Sequence, residues 1–302
     1  MNLFSHWLKP DEVAIFLFHG VIRERRHEVR NYTGKNMLEA EFRAVLEDLQ
    51  AHGNAVSMQD VVDATHSGEP LPPHAFSITF DDGFDNNRTV VAPILEEMKI
   101  PGCFYVTTRF IDENASSWID MIEYAVEREK RFTLRLPHPT LCGTYGTRDE
   151  KIALLNEVRR IVKSDSSLDP YRFVEEFWSA LGVREMEPDP DLDQKMNWAQ
   201  VDAMARHPLF VVGGHSHTHR VMAFLPDDEL QAEIDTSMGL LREHVTVPIT
   251  HYSYPEGQAQ HFSERVIQLL QQQGIVCSPT AMDGTNRIGR EDLFHLWRVM
   301  VA

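Results

Sequence analysis

Ser77-Ile78-Thr79-Phe80-Asp81-Asp82-Gly83 is a short apolar run that breaks into two adjacent carboxylates and a glycine. Far downstream, Gly213-Gly214-His215-Ser216-His217-Thr218-His219 opens from a glycine pair onto three alternating histidines. Both segments follow β-like stretches, Ala75 to Phe80 and Leu209 to Val212, so both are expected at the C-terminal ends of strands, where α/β sheets and barrels place their sites. Neighbouring side chains on an extended segment point to opposite faces, but a turn beginning at Asp82-Gly83 brings both carboxylates to the strand end. A catalytic zinc commonly takes three protein ligands and leaves a position open, and one carboxylate with two imidazoles is an accepted set. Asp82, His215 and His219 supply that set, which leaves Asp81 to act as a base. Asp-Asp-Gly by itself is a turn signature, and His-x-x-x-His by itself is weak in a chain with 15 histidines. Their joint occurrence, each after a strand, points to a metal-dependent hydrolase able to cleave an amide.

These residues resemble the polysaccharide deacetylases with the NodB homology domain, carbohydrate esterase family 4. Thr79-Phe80-Asp81-Asp82-Gly83 matches the family's first motif, and His215-Ser216-His217-Thr218-His219 matches its second. The resemblance covers roughly residues 12 to 110 and 196 to 300. It implies a distorted (β/α)7 barrel, Asp81 as catalytic base, Asp82, His215 and His219 as metal ligands, and a structural role for His217. Ser253-Tyr254-Pro255-Glu256-Gly257 is similar to the third motif, with serine where the family has arginine. The resemblance implies an oxyanion donor in the Glu256 backbone N–H, which does not depend on side-chain identity, and substrate contact at Tyr254 and Pro255. The missing arginine needs another source, and Arg298 in Leu296-Trp297-Arg298-Val299-Met300-Val301 is the candidate, an exposed terminal arginine being the other reading. The family's general-acid motif, L-x-H, is absent from the end of the chain, but Leu17-Phe18-His19 closes the apolar run that starts at Val13. L-x-H on the first strand resembles the permuted branch of the family, and it makes His19 the expected general acid, with an imidazole suited to proton transfer near neutral pH.

Composition narrows the partners. The net charge of −17 argues against nucleic acid or an anionic membrane surface, and no run of apolar residues is long enough to span a bilayer. The segment Met1 to Glu12 lacks a basic n-region and a long apolar stretch, and the three cysteines, Cys103, Cys142 and Cys277, are scattered, which fits a reducing compartment. A cytoplasmic location is therefore expected, and with it an intracellular amino-sugar substrate, nucleotide-linked, lipid-linked or a small saccharide.

Along the chain, strand and helix alternate as an α/β barrel requires, with helical periodicity over Asn36 to Gln50, Asp60 to Thr65 and Asn87 to Met98. The chain reads as one domain, 1–302, interrupted by a mostly helical insertion at 111–195. There Trp118 to Glu129, Asp149 to Lys163 and Pro170 to Leu181 are periodic helices, Phe132 to Leu136 with Cys142 to Tyr145 suggests a hairpin, and Glu187-Pro188-Asp189-Pro190-Asp191 reads as a linker. A lid over the site and a surface for homo-oligomerisation are both open readings of the insertion. The expected activity is N-deacetylation of an N-acetylated amino sugar in surface-polysaccharide or glycoconjugate biosynthesis, with one divalent ion, zinc first and manganese, cobalt or nickel also compatible with the ligand set. An amidase or deformylase acting on another C–N bond and a non-catalytic sugar-binding relative are the alternatives.

Overall fold

The computed structural model describes residues 4–137, 139–289 and 292–301; of the N-terminal segment examined for a leader, residues 1–3 lie outside the described residues. In chain order the elements are β1 (Val13–Phe18), β2 (Gly20–Ile22), β3 (Asn36–Leu38), α1 (Glu39–His52), β4 (Asn54–Ala55) and α2 (Met58–Ser67). Next come β5 (Ala75–Phe80), α3 (Ala92–Met98), β6 (Gly102–Val106) and α4 (Thr108–Glu113). They are followed by α5 (Trp118–Arg128), the hairpin β7 (Phe132–Leu136) and β8 (Leu141–Tyr145), α6 (Arg148–Ser164) and α7 (Pro170–Leu181). The chain ends with α8 (Trp198–Ala205), β9 (Phe210–Gly214), α9 (Asp227–His244), α10 (Glu264–Gln272) and β10 (Val299–Met300).

β10, β1, β5, β6 and β9 pair side by side in that order, all parallel, with β4 added beside β5. Past β9 the ladder continues through isolated bridges, Gly214 to Tyr252 and His251 to Cys277. The Thr280 N–H then donates to the Leu296 carbonyl and the Arg298 N–H to the Met282 carbonyl, which returns the ring to β10. Five strands and these two irregular segments make seven staves, the distorted α/β barrel expected. Gly214 lets the ring close here: a Cβ at that position would meet the Tyr252 ring at 2.4 Å.

The alternation of side chains along each strand sorts the residues between two cores. Phe16, Phe18, Phe76, Ile78 and Phe80 face the surrounding helices, whereas Val13, Ile15, Ala75, Cys103 and Tyr105 join a smaller cluster inside the ring. Registered aromatic neighbours tie the outer face together, with ring centroids 5.4 Å apart for Phe18 and Phe80 and 5.1 Å for Phe80 and Phe104. The same parity carries Leu17 and His19 on one strand, and Thr79 and Asp81 on the next, to the inner rim.

Two helical expectations differ in detail. Asn36–Leu38 is drawn into pairing with β2, so α1 starts only at Glu39. Ahead of α3 the chain takes a π-helical turn over Asn87–Val91; Pro93 cannot donate a backbone hydrogen bond, and π turns recur beside functional sites. The Asn87 amide uses this turn to donate to the His19 carbonyl at 2.7 Å.

Residues from α5 to α7 have a core of their own, built on Trp118, Ile122, Leu134, Leu155, Val158 and Phe177. The 27–31 loop docks on it, with the Val29 N–H donating to Glu127 at 2.6 Å and the Asn31 N–H to Glu123 at 2.9 Å. The proline-rich segment read as a linker is instead a pinned strap. Asp189 meets His27 at 2.6 Å, Asp193 takes the buried Arg30 guanidinium, and Lys195 bridges Phe84 just past the Asp-Asp-Gly turn. Prolines restrict the chain, but paired carboxylates decide where it lies.

Candidate active site

Asp81 and Asp82 end β5 at the rim, and both are buried. By parity Asp82 should turn away from Asp81; it escapes this with a left-handed φ of 78°, followed by Gly83 at 89°. A β-carbon at Gly83 would come within 2.9 Å of Ile111, so glycine is required for space as well as for φ. Ser216, His219 and Glu256 also carry left-handed φ, at 62°, 59° and 62°. Strained non-glycine backbone concentrated in one place is characteristic of functional sites.

Asp82, His215 and His219 converge as expected, their ligand atoms all within 4.8 Å of one another. Asp82 Oδ1 stands 3.3 Å from His219 Nε2 and 3.7 Å from His215 Nε2, yet makes no hydrogen bond among the described residues. A buried carboxylate oxygen without a donor, facing two imidazole nitrogens, fits a cation coordinated by all three. His215 Nδ1 lies 2.9 Å from the Ser253 carbonyl, which fixes the tautomer that leaves Nε2 as the lone-pair donor. Burial draws the His215 imidazole down, while at His219 the adjoining Asp82 outweighs burial and raises it.

Asp81 is held by Arg298. The guanidinium donates from Nη1 to Oδ1 at 2.9 Å and from Nη2 to Oδ2 at 2.8 Å, and it is fully buried. Burial pushes the Asp81 carboxyl up, but Arg298 and His215 prevail and keep it below the usual carboxylate range. The exposed-arginine reading of Arg298 is thus overturned: its Nη2 also donates to Ser253 Oγ at 2.9 Å. Serine at the position where the motif has arginine makes room for, and accepts from, an arginine arriving from the end of the chain.

His19 lines the same cavity. Burial pulls its imidazole down, to about 4, against the opposing pull of Asp82 and Asp81, the direction opposite to a near-neutral acid. Glu256 and Tyr254 also line the cavity. The Tyr254 hydroxyl is turned to the Phe294 carbonyl at 3.1 Å and its ring stacks on Phe262; Pro255 is buried and is not among the lining residues. His217 stays out, its Nδ1 3.0 Å from Thr108 Oγ1, in keeping with a structural role.

The sequence reading missed four contributors. Lys35 reaches within 3.7 Å of Asp82 and bonds Asp120 at 2.9 Å. Arg159 and Lys163 come from α6, and Lys163 forms an ion pair with the Glu256 carboxylate. Burial raises the Glu256 carboxyl, but Lys163 and His219 overcome this and bring it to about 2. Glu233 caps the histidine loop from α9, accepting the His217 N–H at 2.9 Å. None has a local signal, because each is placed by contacts between distant segments. The cavity enclosed by these groups has a volume of about 180 Å³.

The polysaccharide deacetylase family model matches residues 68–165 and 183–278. The match holds Asp81, Asp82, His215, His219 and Glu256, while His19 and Arg298 fall outside it. Over 74 residues the chain is 32% identical to the poly-beta-1,6-N-acetyl-D-glucosamine N-deacetylase of Escherichia coli strain K12, a stretch of 24% of this chain and 11% of that protein. The chain thus spans about a tenth of the length of the curated relatives it matches. Among solved structures, IcaB from Ammonifex degensii aligns with a TM-score of 0.62 at 19% identity, over 98% of this chain and 94% of that one. The Streptococcus pyogenes deacetylase PplD, solved with acetate, aligns with a TM-score of 0.61 at 12% identity, over 97% and 93%. At these identities the structural likeness speaks for the fold.

Proposed function

This chain belongs to the polysaccharide deacetylase family, and we propose that it is a metal-dependent N-deacetylase that hydrolyses the acetamide of an N-acetylated amino sugar in surface-polysaccharide or glycoconjugate biosynthesis. The observation that carries the reading is the juxtaposition of a base and a ligand cluster: Asp81, clamped through both oxygens by Arg298, beside Asp82, His215 and His219. A binding-only relative has no physical need for the clamped carboxylate.

In this reading Asp82, His215 and His219 hold one divalent ion, with zinc our choice for a carboxylate-imidazole set. Such an ion, when bound, supplies Lewis acidity to the carbonyl and acidifies water. The chain's own groups do the rest. Asp81 takes the proton of the attacking water, and Arg298 prevents its rotation by occupying both of its oxygens. The Glu256 N–H donates to the oxygen that gains charge as the C–O bond forms. His19 delivers a proton to the nitrogen as the C–N bond breaks, releasing acetate and an amine. Asp82 and Asp81 favour the protonated imidazole that this role requires, against the burial that lowers it. We further propose that the protein works in the cytoplasm, on the strength of the scattered, unpaired cysteines; among the described residues no helix is long and apolar enough to cross a membrane.

The test is acid release from metal-reconstituted protein on a panel of N-acetylated and N-formylated sugars, free and carrier-linked, beside the Asp81→Asn variant. Acetate that appears with the parent and vanishes with the variant is the expected result. Formate in its place would convert the reading to a deformylase, and silence across the panel with metal bound would defeat it.

A further inference from the structure

The charges around the cavity are not distributed evenly. Two of its cations are spent inside it, Arg298 on Asp81 and Lys163 on Glu256. The other two, Lys35 and Arg159, also line it, but their partners Asp120 and Glu123 stand behind the wall and line a separate small cleft. The cavity therefore sees the cationic side of both pairs, and Lys35 also stands 3.7 Å from Asp82, a proposed metal ligand, so Arg159 is the cation whose carboxylate partner lies wholly behind the wall. Arg159 is the more accessible of the two: its side chain is 19% exposed, and Nη2 donates to Glu123 at 2.8 Å. A guanidinium that lines a cavity while its carboxylate partner lies behind it keeps N–H donors for a bound anion. Its planar edge suits an oxyacid better than a lone hydroxyl.

Resting on the deacetylase reading, we propose that Arg159, supported by Lys35, is a specificity-determining residue that recognises an acidic substituent, phosphate or carboxylate, carried by the amino sugar beside its acetamido group. Arg159 lies on α6, outside the motifs that hold the chemistry, and Lys163 follows four residues later on the same helical face. The insertion would thus select the sugar that the barrel then hydrolyses.

The experiment uses the deacetylated products, which bind without turnover. Glucosamine, glucosamine 6-phosphate and glucosaminuronic acid are titrated calorimetrically into the metal-loaded protein, and acetate release from the three N-acetylated forms is measured in parallel. At least one acidic sugar is expected to bind about tenfold more tightly than glucosamine, as a charged hydrogen bond would give, and the arm that does so separates phosphate from carboxylate. Arg159→Gln should bring the ratio of acidic to neutral affinity close to one. Arg159→Lys keeps a positive charge beside Glu123 and guards against misfolding; it should lower the ratio too, because it lacks the second donor. A ratio near one in the parent, or a ratio that neither variant reduces, overturns the inference while acetate release leaves the deacetylase reading standing. No acetate from any of the three sugars, with the carrier-linked panel silent as well, overturns both.

Discussion

The barrel rim and the α5–α7 insertion build one cavity by opposite means. At the rim, Asp81, His215 and Arg298 sit on three staves of one ring, separated by β6 and β1, whose register is set by backbone pairing, so these groups are located by the closure of the ring. The insertion packs on a core of its own and reaches the site through Ile119, Arg159 and Lys163. The difference teaches that chemistry and selection reside on separately stabilised parts: one part cannot move without losing the Asp81–Arg298 clamp, whereas the other can vary in sequence while the clamp persists.

The largest effects should fall on the rim. Asp81→Asn is expected to lower kcat by about a hundred- to ten-thousand-fold with metal content unchanged by elemental analysis, while Asp82→Ala should lose metal and activity together. Full turnover in Asp81→Asn would remove the base from this residue. Next in size, Arg298→Met leaves a buried carboxylate without its partner and should cost about 3–5 kcal/mol, read from the urea midpoint. A loss no greater than that of an exposed arginine would break the idea that the ring holds the clamp.

Phe177→Ala tests the other side of the comparison. Truncation of this buried ring should cost about 3 kcal/mol, with faster hydrogen exchange confined to 118–183 while the amides of β1, β5 and β6 stay protected. Equal loss of protection in both regions would show a single cooperative unit and dissolve the distinction.

Where the two regions meet, acid should loosen them. Burial pushes the Asp120 carboxyl up, but Lys35 and Lys195 draw it down to about 2 from an ordinary 3.8. A depressed carboxyl stabilises the fold above its unfolded pKa and loses that contribution as pH falls through its folded one. The parent should therefore lose roughly 2 kcal/mol between about pH 4 and pH 2 from this group, and Asp120→Asn should flatten that limb of the stability curve. An unchanged limb would mean that Asp120 does not couple the regions. The smallest effect is expected at Lys163–Glu256, where the lysine side chain is 33% exposed. Lys163→Met should shift unfolding by less than about 1 kcal/mol; a larger loss in thermal unfolding would recast the pair as the fastening of the insertion to the barrel.

The Asp82–His215–His219 cluster was legible because each half of the set is local: Asp81-Asp82-Gly83 at the end of an apolar run, and two histidines four residues apart. The insertion's helices were legible as well, Pro170–Leu181 to the residue, because its apolar periodicity is strong. The strap at 187–195 was misread, since proline content reports stiffness and says nothing of the carboxylates that pin it to His27 and Arg30. The lowering at His19 had no local signal for a related reason: a residue type carries an ordinary pKa, and the shift comes from burial against other segments.

By itself, then, the sequence determined the alternation of strands and helices and the carboxylate and histidine segments that end two of the strands, all of which depend on neighbours a few positions away. The tertiary structure alone decided that Arg298 rather than residue 253 holds Asp81, and that Lys35, Arg159 and Lys163 wall the cavity. Those pairings join positions as far apart as 217 residues, and charges so distant along the chain become neighbours only when backbone pairing closes the barrel and the insertion folds against its rim.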